Sequence, residues 1–290
     1  MSGITPITHK LVKDLAPARR PDGHKNDFGH VLICAGSEYM TGALVLAGEA
    51  ALRSGAGLVT CFSTAEALLP VKVNCPCALT ASWEEDVPDT LRKASGLLKK
   101  ATAAAIGPGL DESDPRSRAL AEMFLQEAKV LVLDAGALNM ISRDKETMLP
   151  LLAAREDKGL LPAVLTPHIG EMKRILGADV TEEACSSFAT ENHCVLVLKN
   201  NKTMIFTPHS SCYSIQGDNS GLAKGGSGDV LTGLTAGLLA QGINPCDAGV
   251  AAVYLHGKAG SLAATYIGER GMLPTDVIEE LPEAFQDTGW

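Results

Sequence analysis

The stretch VLICAGSEYMTGALVLAGEAALRSGAGLVTCF, residues 31–62, contains one complete alternation of apolar run, turn and helical pattern. Its first four residues are continuously apolar and lead to the glycine and serine at 36–37, as is typical of a buried parallel strand. Apolar side chains then recur at helical spacing over 41–54, and two glycines end that pattern. A second apolar run occupies 58–62, so the stretch predicts a strand, a helix and another strand.

The same alternation continues along the chain. Further strands are predicted at 103–106, 130–133, 163–165 and 194–198, a hairpin arm at 204–206, and helices at 116–127, 230–239 and 247–264. Such alternation predicts a three-layer α/β fold with a largely parallel central sheet. Residues 1–29 are polar and irregular, and we expect them to form an arm that leads into the domain. Because the chain has no linker-like or repeated segment, we expect residues 1–290 to form a single domain.

Composition excludes several classes of protein. Of the 290 residues, 46% are hydrophobic and 20% are charged, and the net charge is −9. A sizeable core can therefore be buried, and a nucleic-acid-binding surface, which needs clustered positive charge, is disfavoured. The eight cysteines are scattered apart from Cys75 and Cys77, and no cysteine–histidine cluster has the spacing of a zinc site. With no apolar run of ~20 residues and no secretory signal, we expect a cytoplasmic protein with reduced thiols and no resident metal ion.

The most informative motif is Gly221-Leu222-Ala223-Lys224-Gly225-Gly226-Ser227-Gly228-Asp229, directly before a predicted helix. Small residues at 225–228 let several backbone N–H groups converge, and the helix start adds partial positive charge, so this segment predicts an anion hole for a phosphoryl group. It is not a Walker A loop, which would need Gly-Lys-Ser/Thr. Asp229 can cap the helix or accept a proton from a substrate hydroxyl. Beside these glycines we interpret Asp229 as a catalytic base.

Three other segments combine turn residues with polar side chains. Thr166-Pro167-His168-Ile169-Gly170-Glu171-Met172 follows a predicted strand, and its His168 and Glu171 either face a ligand or a hydrated Mg²⁺ or simply close a capping box. Gly107-Pro108-Gly109 lets a ligand approach the backbone closely or is a plain tight turn. Residues 199–203, Lys-Asn-Asn-Lys-Thr, can grip a nucleotide or form an ordinary hairpin turn.

Two isolated polar residues are also candidates. Asp134 ends a predicted strand and either orients a loop or contacts the substrate. His256 lies on an apolar helix and is predicted to be a core histidine whose hydrogen bonds are satisfied.

The loop at 36–43 is not G-x-G-x-x-G, so a dinucleotide fingerprint of the Rossmann type is not supported.

Together these motifs resemble the ADP-dependent NAD(P)H-hydrate dehydratases, a branch of the ribokinase-like superfamily. The resemblance covers nearly all of the chain, from His24-Lys25 to Leu281-Pro282. Its most specific parts are the segments 51–60, 134–139, 166–172 and 223–233. It implies a ribokinase-like α/β/α sandwich that restores NADH or NADPH from the S form of the ring-hydrated cofactor, consumes ADP with Mg²⁺, and releases AMP and phosphate.

The resemblance also implies roles for particular residues. The hydrated substrate would be contacted by Ala43, Gly109, His168 and Asp229. The adenine nucleotide would be held by Lys199, Asn200, Asn201, Lys202, Thr203 and Gly228, and the anion hole would consist of Gly225, Gly226, Ser227 and Gly228. Family members often form tetramers, so a homotetramer is expected. Many relatives carry an N-terminal epimerase domain that this sequence lacks, so we expect either a separate epimerase as a partner in the same pathway or spontaneous epimerisation that is fast enough without one.

One departure and two alternatives accompany this interpretation. The family often has Lys-Gly where this chain has Lys199-Asn200, and we expect Asn200 to adopt the left-handed backbone in place of glycine. An ATP-dependent vitamin-type kinase of the same fold would share the anion hole and the base, but His168 in its Thr-Pro-His-x-Gly-Glu context favours the dehydratase. A catalytically silent nucleotide-binding protein is disfavoured by the presence of Asp229.

Overall fold

Ten strands of the computed structural model, which describes residues 3–290, join into one sheet. They are β1 (Thr5–Pro6), β2 (His30–Cys34), β3 (Leu58–Ser63), β4 (Leu79–Ser82), β5 (Ala103–Ile106), β6 (Leu131–Leu133), β7 (Ala163–Leu165), β8 (Cys194–Leu198), β9 (Lys202–Phe206) and β10 (Cys212–Gln216). Their order is β1-β10-β9-β8-β7-β6-β5-β2-β3-β4. Every neighbouring pair is parallel except the two that β9 makes, so the predicted largely parallel sheet is confirmed.

Helices cover both faces of this sheet. They are α1 (His9–Asp14), α2 (Thr41–Arg53), α3 (Ala65–Asn74), α4 (Val87–Leu98), α5 (Pro115–Glu127), α6 (Gly136–Arg143), α7 (Lys145–Ala153), α8 (Ile169–Leu176), α9 (Glu182–Glu191), α10 (Ser227–Ala240), α11 (Pro245–Ile267) and α12 (Pro274–Thr288). Alternate residues of a strand point to opposite faces, and in β2 Val31 and Ile33 join the core with α2, α10, α11 and α12. Leu32 and Cys34 join the core with α4 to α9. The three-layer α/β/α architecture is therefore confirmed.

Helix α10 crosses the middle of the sheet in close contact with α2. A Cβ added at Gly233 would lie 2.0 Å from the carbonyl oxygen of Ala47, so the two backbones approach more closely than any side chain allows. At the far end of α10 the carbonyl of Ala240 accepts a hydrogen bond from Thr102 Oγ1 at the amino edge of the sheet. The first turn of α10 consequently lies at the carboxyl edge, where ligands bind in open α/β sheets.

The N-terminal segment differs from the predicted irregular arm. Residues 1–2 lie outside the described residues, but β1 extends the sheet by pairing parallel with β10, and α1 follows it. The side chain of Thr8 caps α1 by accepting a hydrogen bond from the Leu11 amide, and Val12 is buried. A short 3-10 helix at Lys25–Phe28 then leads into β2. One buried apolar residue is too weak a periodic signal to reveal such a helix.

Three further observations bear on the sequence predictions. Within residues 3–290 none of the helices is long and apolar enough to cross a membrane. Cys75 is buried and Cys77 is exposed, and both are free thiols. The segment 199–203 is a shorter loop than predicted, because Lys202 and Thr203 already belong to β9.

Candidate active site

The carboxyl ends of the central strands bring the predicted site segments together. The Lys199 amide, which follows β8, donates to the Pro167 carbonyl that follows β7, at 2.8 Å. The Gly136 amide, after β6, donates to the Gly107 carbonyl after β5, at 3.2 Å. Because parallel strands end at one edge, four segments that are far apart in the sequence form one continuous rim.

Asp134 is buried in this rim and both of its carboxylate oxygens are occupied. The Lys199 ammonium lies 2.8 Å from Oδ1, and the Thr232 hydroxyl donates to Oδ2 at 3.0 Å. Thr232 belongs to α10, so Asp134 ties this helix to the loop after β8. Ala135, next in the chain, has a φ of 44°, a left-handed conformation that is strained for a residue with a side chain. Of the two roles considered for Asp134, the structure supports orientation of neighbouring groups.

Asp229 lies in the first turn of α10, beside this ion pair. The residue in the N-cap position is Gly226, with a φ of 97°, so Asp229 is free of the capping role. The pKa of Asp229 is raised to about 7, mainly by burial and also by the negative charge of Asp134, while the Lys199 ammonium opposes both effects. A carboxyl group with this pKa can accept a proton near neutral pH, which is the requirement for a general base.

The predicted anion-hole residues form the start of α10. A Cβ added at Gly228 would lie 3.3 Å from Lys199 Nζ and 3.5 Å from Asp134 Oδ2, so the missing side chain leaves an open approach to the helix start. The amides of Gly228 and Asp229 belong to the first turn, where a helix offers its N–H groups no internal acceptor. Free N–H groups beside an ammonium suit a phosphate group. The residues present therefore fit the phosphates of a nucleotide.

Contacts from other segments of the chain stabilise the loop that precedes α10. The Lys224 ammonium donates to the Met272 carbonyl at 2.5 Å. Gly226 packs against Leu46 so closely that a Cβ there would lie 2.7 Å from Leu46 Cδ1. These contacts fix the backbone of the anion-hole segment before any ligand binds.

His168 is the N-cap residue of α8, and its capping box with Glu171 is present. Its Nδ1 accepts hydrogen bonds from the amides of Gly170 at 3.0 Å and Glu171 at 3.3 Å, while Glu171 Oε2 accepts from the His168 amide at 2.9 Å. An accepting Nδ1 places the ring proton on Nε2. The His168 side chain is about half exposed, and its Nε2 lies 3.6 Å from Glu171 Oε2, beyond hydrogen-bond distance. The Nε2–H can therefore donate to a ligand while Nδ1 caps the helix.

Ala43 and Gly109 are in direct contact on the other side of the rim. Gly109 has a φ of 63°, and a Cβ added there would lie 2.8 Å from Ala43 Cβ and 2.9 Å from the Met40 carbonyl oxygen. The turn is therefore tight, as expected, and it could not accept a side chain.

The hairpin after β8 shows the plain-turn features that were the alternative to nucleotide binding. Asn200 Oδ1 accepts from the Asn201 amide at 2.8 Å, and the Thr203 hydroxyl donates to the Asn200 carbonyl. Asn200 is not among the residues with positive φ in 3–290, so the expected left-handed backbone at this position is wrong. Side-chain hydrogen bonds stabilise the turn instead. Within 199–203 only Lys199 is directed towards Asp134.

His256 corrects another expectation. It is buried as predicted, but its Nε2 has no hydrogen-bond partner among the described residues. The pKa of His256 is lowered to about 4, mainly by burial; the hydrogen bond with the Ser227 backbone opposes this shift, and the charge of Lys199 adds to it. A neutral imidazole therefore lies directly behind the anion-hole segment. Nothing in the sequence indicated this placement, because the whole of α10 separates the glycine motif from α11, which carries His256.

Comparisons with known proteins agree with this geometry. A family model described as NAD(P)H-hydrate dehydratase matches residues 31–283. The "ADP-dependent (S)-NAD(P)H-hydrate dehydratase" of Bacillus subtilis is 34% identical over 96% of this chain and 97% of its own length. The "Bifunctional NAD(P)H-hydrate repair enzyme" of Moorella thermoacetica is 38% identical over 95% of this chain. The chain spans 53% of the length of this bifunctional relative.

Solved structures support the same assignment. The ADP/ATP-dependent NAD(P)H-hydrate dehydratase of Bacillus subtilis, co-crystallised with ATP and Mg²⁺, has a TM-score of 0.81 at 32% identity and covers 99% of this chain and 100% of its own. A ribokinase-like superfamily protein of Enterococcus faecalis has a TM-score of 0.83 at 26% identity, covering 99% and 97%. The fold is ribokinase-like, and the chain belongs to the NAD(P)H-hydrate dehydratase family.

Proposed function

We propose that this chain dehydrates the S form of hydrated NADH or NADPH, with ADP as the phosphoryl donor and AMP and phosphate as the other products. The observation that carries the proposal is Asp229, a half-buried carboxyl group with a pKa of about 7 in the first turn of α10. It lies where the helix N–H groups and the Lys199 ammonium can hold a phosphoryl group. The full-length relative from Bacillus subtilis carries the name of this activity.

The chemistry requires a change of leaving group. Hydroxide leaves a reduced pyridine ring poorly, whereas a phosphate ester leaves well. Asp229 would take the hydroxyl proton while the hydroxyl oxygen bonds to the terminal phosphorus of ADP, and the bond between that phosphorus and the oxygen bridging to AMP breaks. The ring nitrogen lone pair would then expel phosphate and restore the dihydronicotinamide ring after loss of a ring proton. The ion pair with Asp134 would hold the Lys199 ammonium beside the phosphoryl group, so that the chain orients the reactants and supplies positive charge.

The nucleotide would approach the start of α10 from the side of Lys199. Gly228 leaves this approach open, and the turn at Asn200 and Asn201 lies beside it. Mg²⁺ would enter with the phosphates and neutralise their charge. Within residues 3–290, no group of three or more His, Cys, Asp or Glu side chains could hold a metal ion.

The substrate would lie across the rim between Asp229 and the contact of Ala43 with Gly109. The tight Gly107–Gly109 turn exposes backbone to it at close range. His168 would offer Nε2–H to an acceptor on the substrate, because its Nδ1 is already occupied by the α8 amides.

The wider context is also part of the proposal. The single sheet running from β1 to β4 supports one domain for the described chain. Relatives named as bifunctional repair enzymes support a second activity on the same hydrate, for which we propose a separate epimerase. We propose a cytoplasmic homotetramer, as the family resemblance implies.

Product analysis tests this function. The purified protein is mixed with S-form hydrated NADPH, Mg²⁺ and either ADP or ATP, and the absorbance of reduced nicotinamide and the nucleotide products are followed. We expect NADPH, AMP and phosphate to appear in equal amounts with ADP. Absence of NADPH with both nucleotides would reject the proposal, and a stable phosphorylated product from a hydroxymethyl pyrimidine, thiazole or pyridoxal with ATP would favour the vitamin-type kinase.

A further inference from the structure

A second pocket opens at the carboxyl edge of the sheet, towards β4. Its volume is about 170 Å³. The loops that follow β2, β3, β4 and β5 surround it, through Ser37, Thr64, Trp83 and Asp111. Of these residues only Ser37 belongs to a segment considered in the sequence, the loop at 36–43, which lacks a dinucleotide fingerprint.

This pocket shares its walls with the predicted substrate site. Gly36 lines the pocket, and its amide donates to the Pro108 carbonyl at 2.7 Å. Tyr39 also lines it, and the adjacent Met40 carbonyl packs against Gly109. The loop at 36–43 and the turn at 107–109 therefore line both the pocket and the predicted substrate site. A substrate that lies against Gly109 can extend into the pocket.

The Ser37 hydroxyl marks the pocket as a polar binding site. Ser37 is 6% exposed, and its Oγ has no hydrogen-bond partner among residues 3–290. A buried hydroxyl without a partner is unfavourable, and native proteins satisfy nearly all such groups. Because Ser37 lines the pocket, a ligand can supply the missing partner. The Trp83 ring adds an apolar wall, with the Arg116 guanidinium 5.2 Å above its centroid.

Charge restricts what can enter. Four carboxyl groups line the pocket, at Glu38, Glu66, Asp111 and Asp114. The single cation, Arg116, is bound by Asp114 at 2.6 Å. This environment disfavours phosphate and favours neutral groups that donate hydrogen bonds. Carboxylates that bind sugar hydroxyls in dinucleotide sites use the same chemistry.

We propose that this pocket receives the hydroxyls of one ribose of the hydrated dinucleotide, an assignment that rests on the proposed function. Ser37 supplies a hydroxyl that can donate or accept, and the carboxylate of Glu66 accepts from the sugar. Pockets for whole drug-sized ligands are about 300–1,000 Å³, so a space of about 170 Å³ suits one sugar ring rather than the complete dinucleotide. The phosphates and the reacting ring remain on the Asp229 side.

Calorimetric titration with S-form hydrated NADH, without nucleotide, tests the assignment. Ser37→Ala should weaken binding about fivefold and Glu66→Gln about tenfold, the losses expected for a neutral and a charge-assisted hydrogen bond. Glu183→Gln, an exposed carboxyl on α9 outside the pocket, is the matched control and should bind as the unchanged protein does. Melting temperatures verify that all three variants are folded. Unchanged affinity in both pocket variants overturns the assignment.

Two further ligands identify the ribose. If the adenosine ribose occupies the pocket, hydrated NADPH should bind more weakly than hydrated NADH, because its 2′-phosphate meets the carboxylates, and Glu66→Gln should narrow the difference. If the other ribose does, the two should bind alike and hydrated nicotinamide mononucleotide should retain the dependence on Ser37. Turnover is measured separately. Binding without turnover rejects the proposed function alone, turnover with unaffected variants rejects the pocket alone, and absence of binding rejects both.

Discussion

The Lys199 ammonium lies 2.8 Å from the carboxylate of Asp134, 65 positions away in the sequence. This pair joins the loop after β8 to the end of β6, and the Thr232 hydroxyl adds α10 to it. The pair also lies beside Asp229, the proposed base: the charge of Asp134 raises the pKa of Asp229, and the charge of Lys199 lowers it. The pair therefore influences both the stability of the rim and the pH at which the site can work.

Replacement of Lys199 by Met should shift the pH dependence of turnover. Lys199 lowers the pKa of Asp229, so its loss should move the acid limb of the kcat profile to higher pH. The buried Asp134 would also lose its partner, which should reduce the free energy of unfolding by about 2 kcal/mol, less than for a fully buried pair. Lys173→Met, which removes an exposed lysine paired with Asp179 at the surface, should change neither quantity appreciably. If the acid limb of the kcat profile stayed in place while the free energy of unfolding fell, Lys199 would stabilise the fold without influencing the pKa of Asp229.

Asp229→Asn should raise the melting temperature at pH 8. The pKa of Asp229 is raised from 3.8 to about 7, so the folded state holds a proton that the unfolded state has lost over this range. Stability from this group is present below pH 3.8 and is lost as the pH rises through about 7. The neutral Asn avoids this loss, so the two proteins should differ by a few degrees at pH 8 and converge near pH 4. A lower melting temperature for Asp229→Asn at pH 8 would contradict the buried-charge account.

His168 variants should separate helix capping from substrate contact. Ala removes the cap of α8 and should cost about 1 kcal/mol of stability, whereas Asn can cap the helix and should preserve it. Both lose the ring Nε2–H and should raise KM for the hydrated substrate. Thermal melting and steady-state kinetics on the same samples provide the comparison. Wild-type KM in His168→Asn would limit this residue to capping.

The close contact of α10 and α2 should make Gly233 intolerant of a side chain. Gly233→Ala would place Cβ 2.0 Å from the Ala47 carbonyl oxygen, so a loss of about 3 kcal/mol is expected. Gly257→Ala is the control, because no atom lies within 4 Å of its added Cβ within α11, and it should stabilise the helix by about 0.5–1 kcal/mol. Denaturant unfolding measures both. Equal stabilities would show that the helices can separate without penalty.

Sequence patterns predicted the central layers of the fold and the segments of the rim. Buried strands such as β5 and β8 are short apolar runs, and α10 follows its glycine motif directly, so local signals were sufficient. Edge elements were missed because their burial is mixed. In β4, for example, Leu79 is 53% exposed, and no apolar alternation marks the strand.

Contacts between distant segments were beyond prediction from local pattern. The pairing of Lys199 with Asp134 depends on β8 and β6 lying on either side of β7, which spacing cannot reveal. The placement of His256 behind Ser227 depends on how α11 packs beside α10. The unpaired hydroxyl of Ser37 likewise becomes visible only when four loops enclose it.

The most direct test of the central claim compares the unchanged protein with Asp229→Asn in the recovery of NADPH from its S-form hydrate. Both are assayed with ADP and Mg²⁺ at pH 8, after calorimetry has shown that they bind ADP equally. We predict rapid recovery of NADPH absorbance by the unchanged protein and a kcat about 10²–10⁴-fold lower in Asp229→Asn, the loss expected for a general base. Recovery at a similar rate in both proteins would contradict the role of Asp229 as the base.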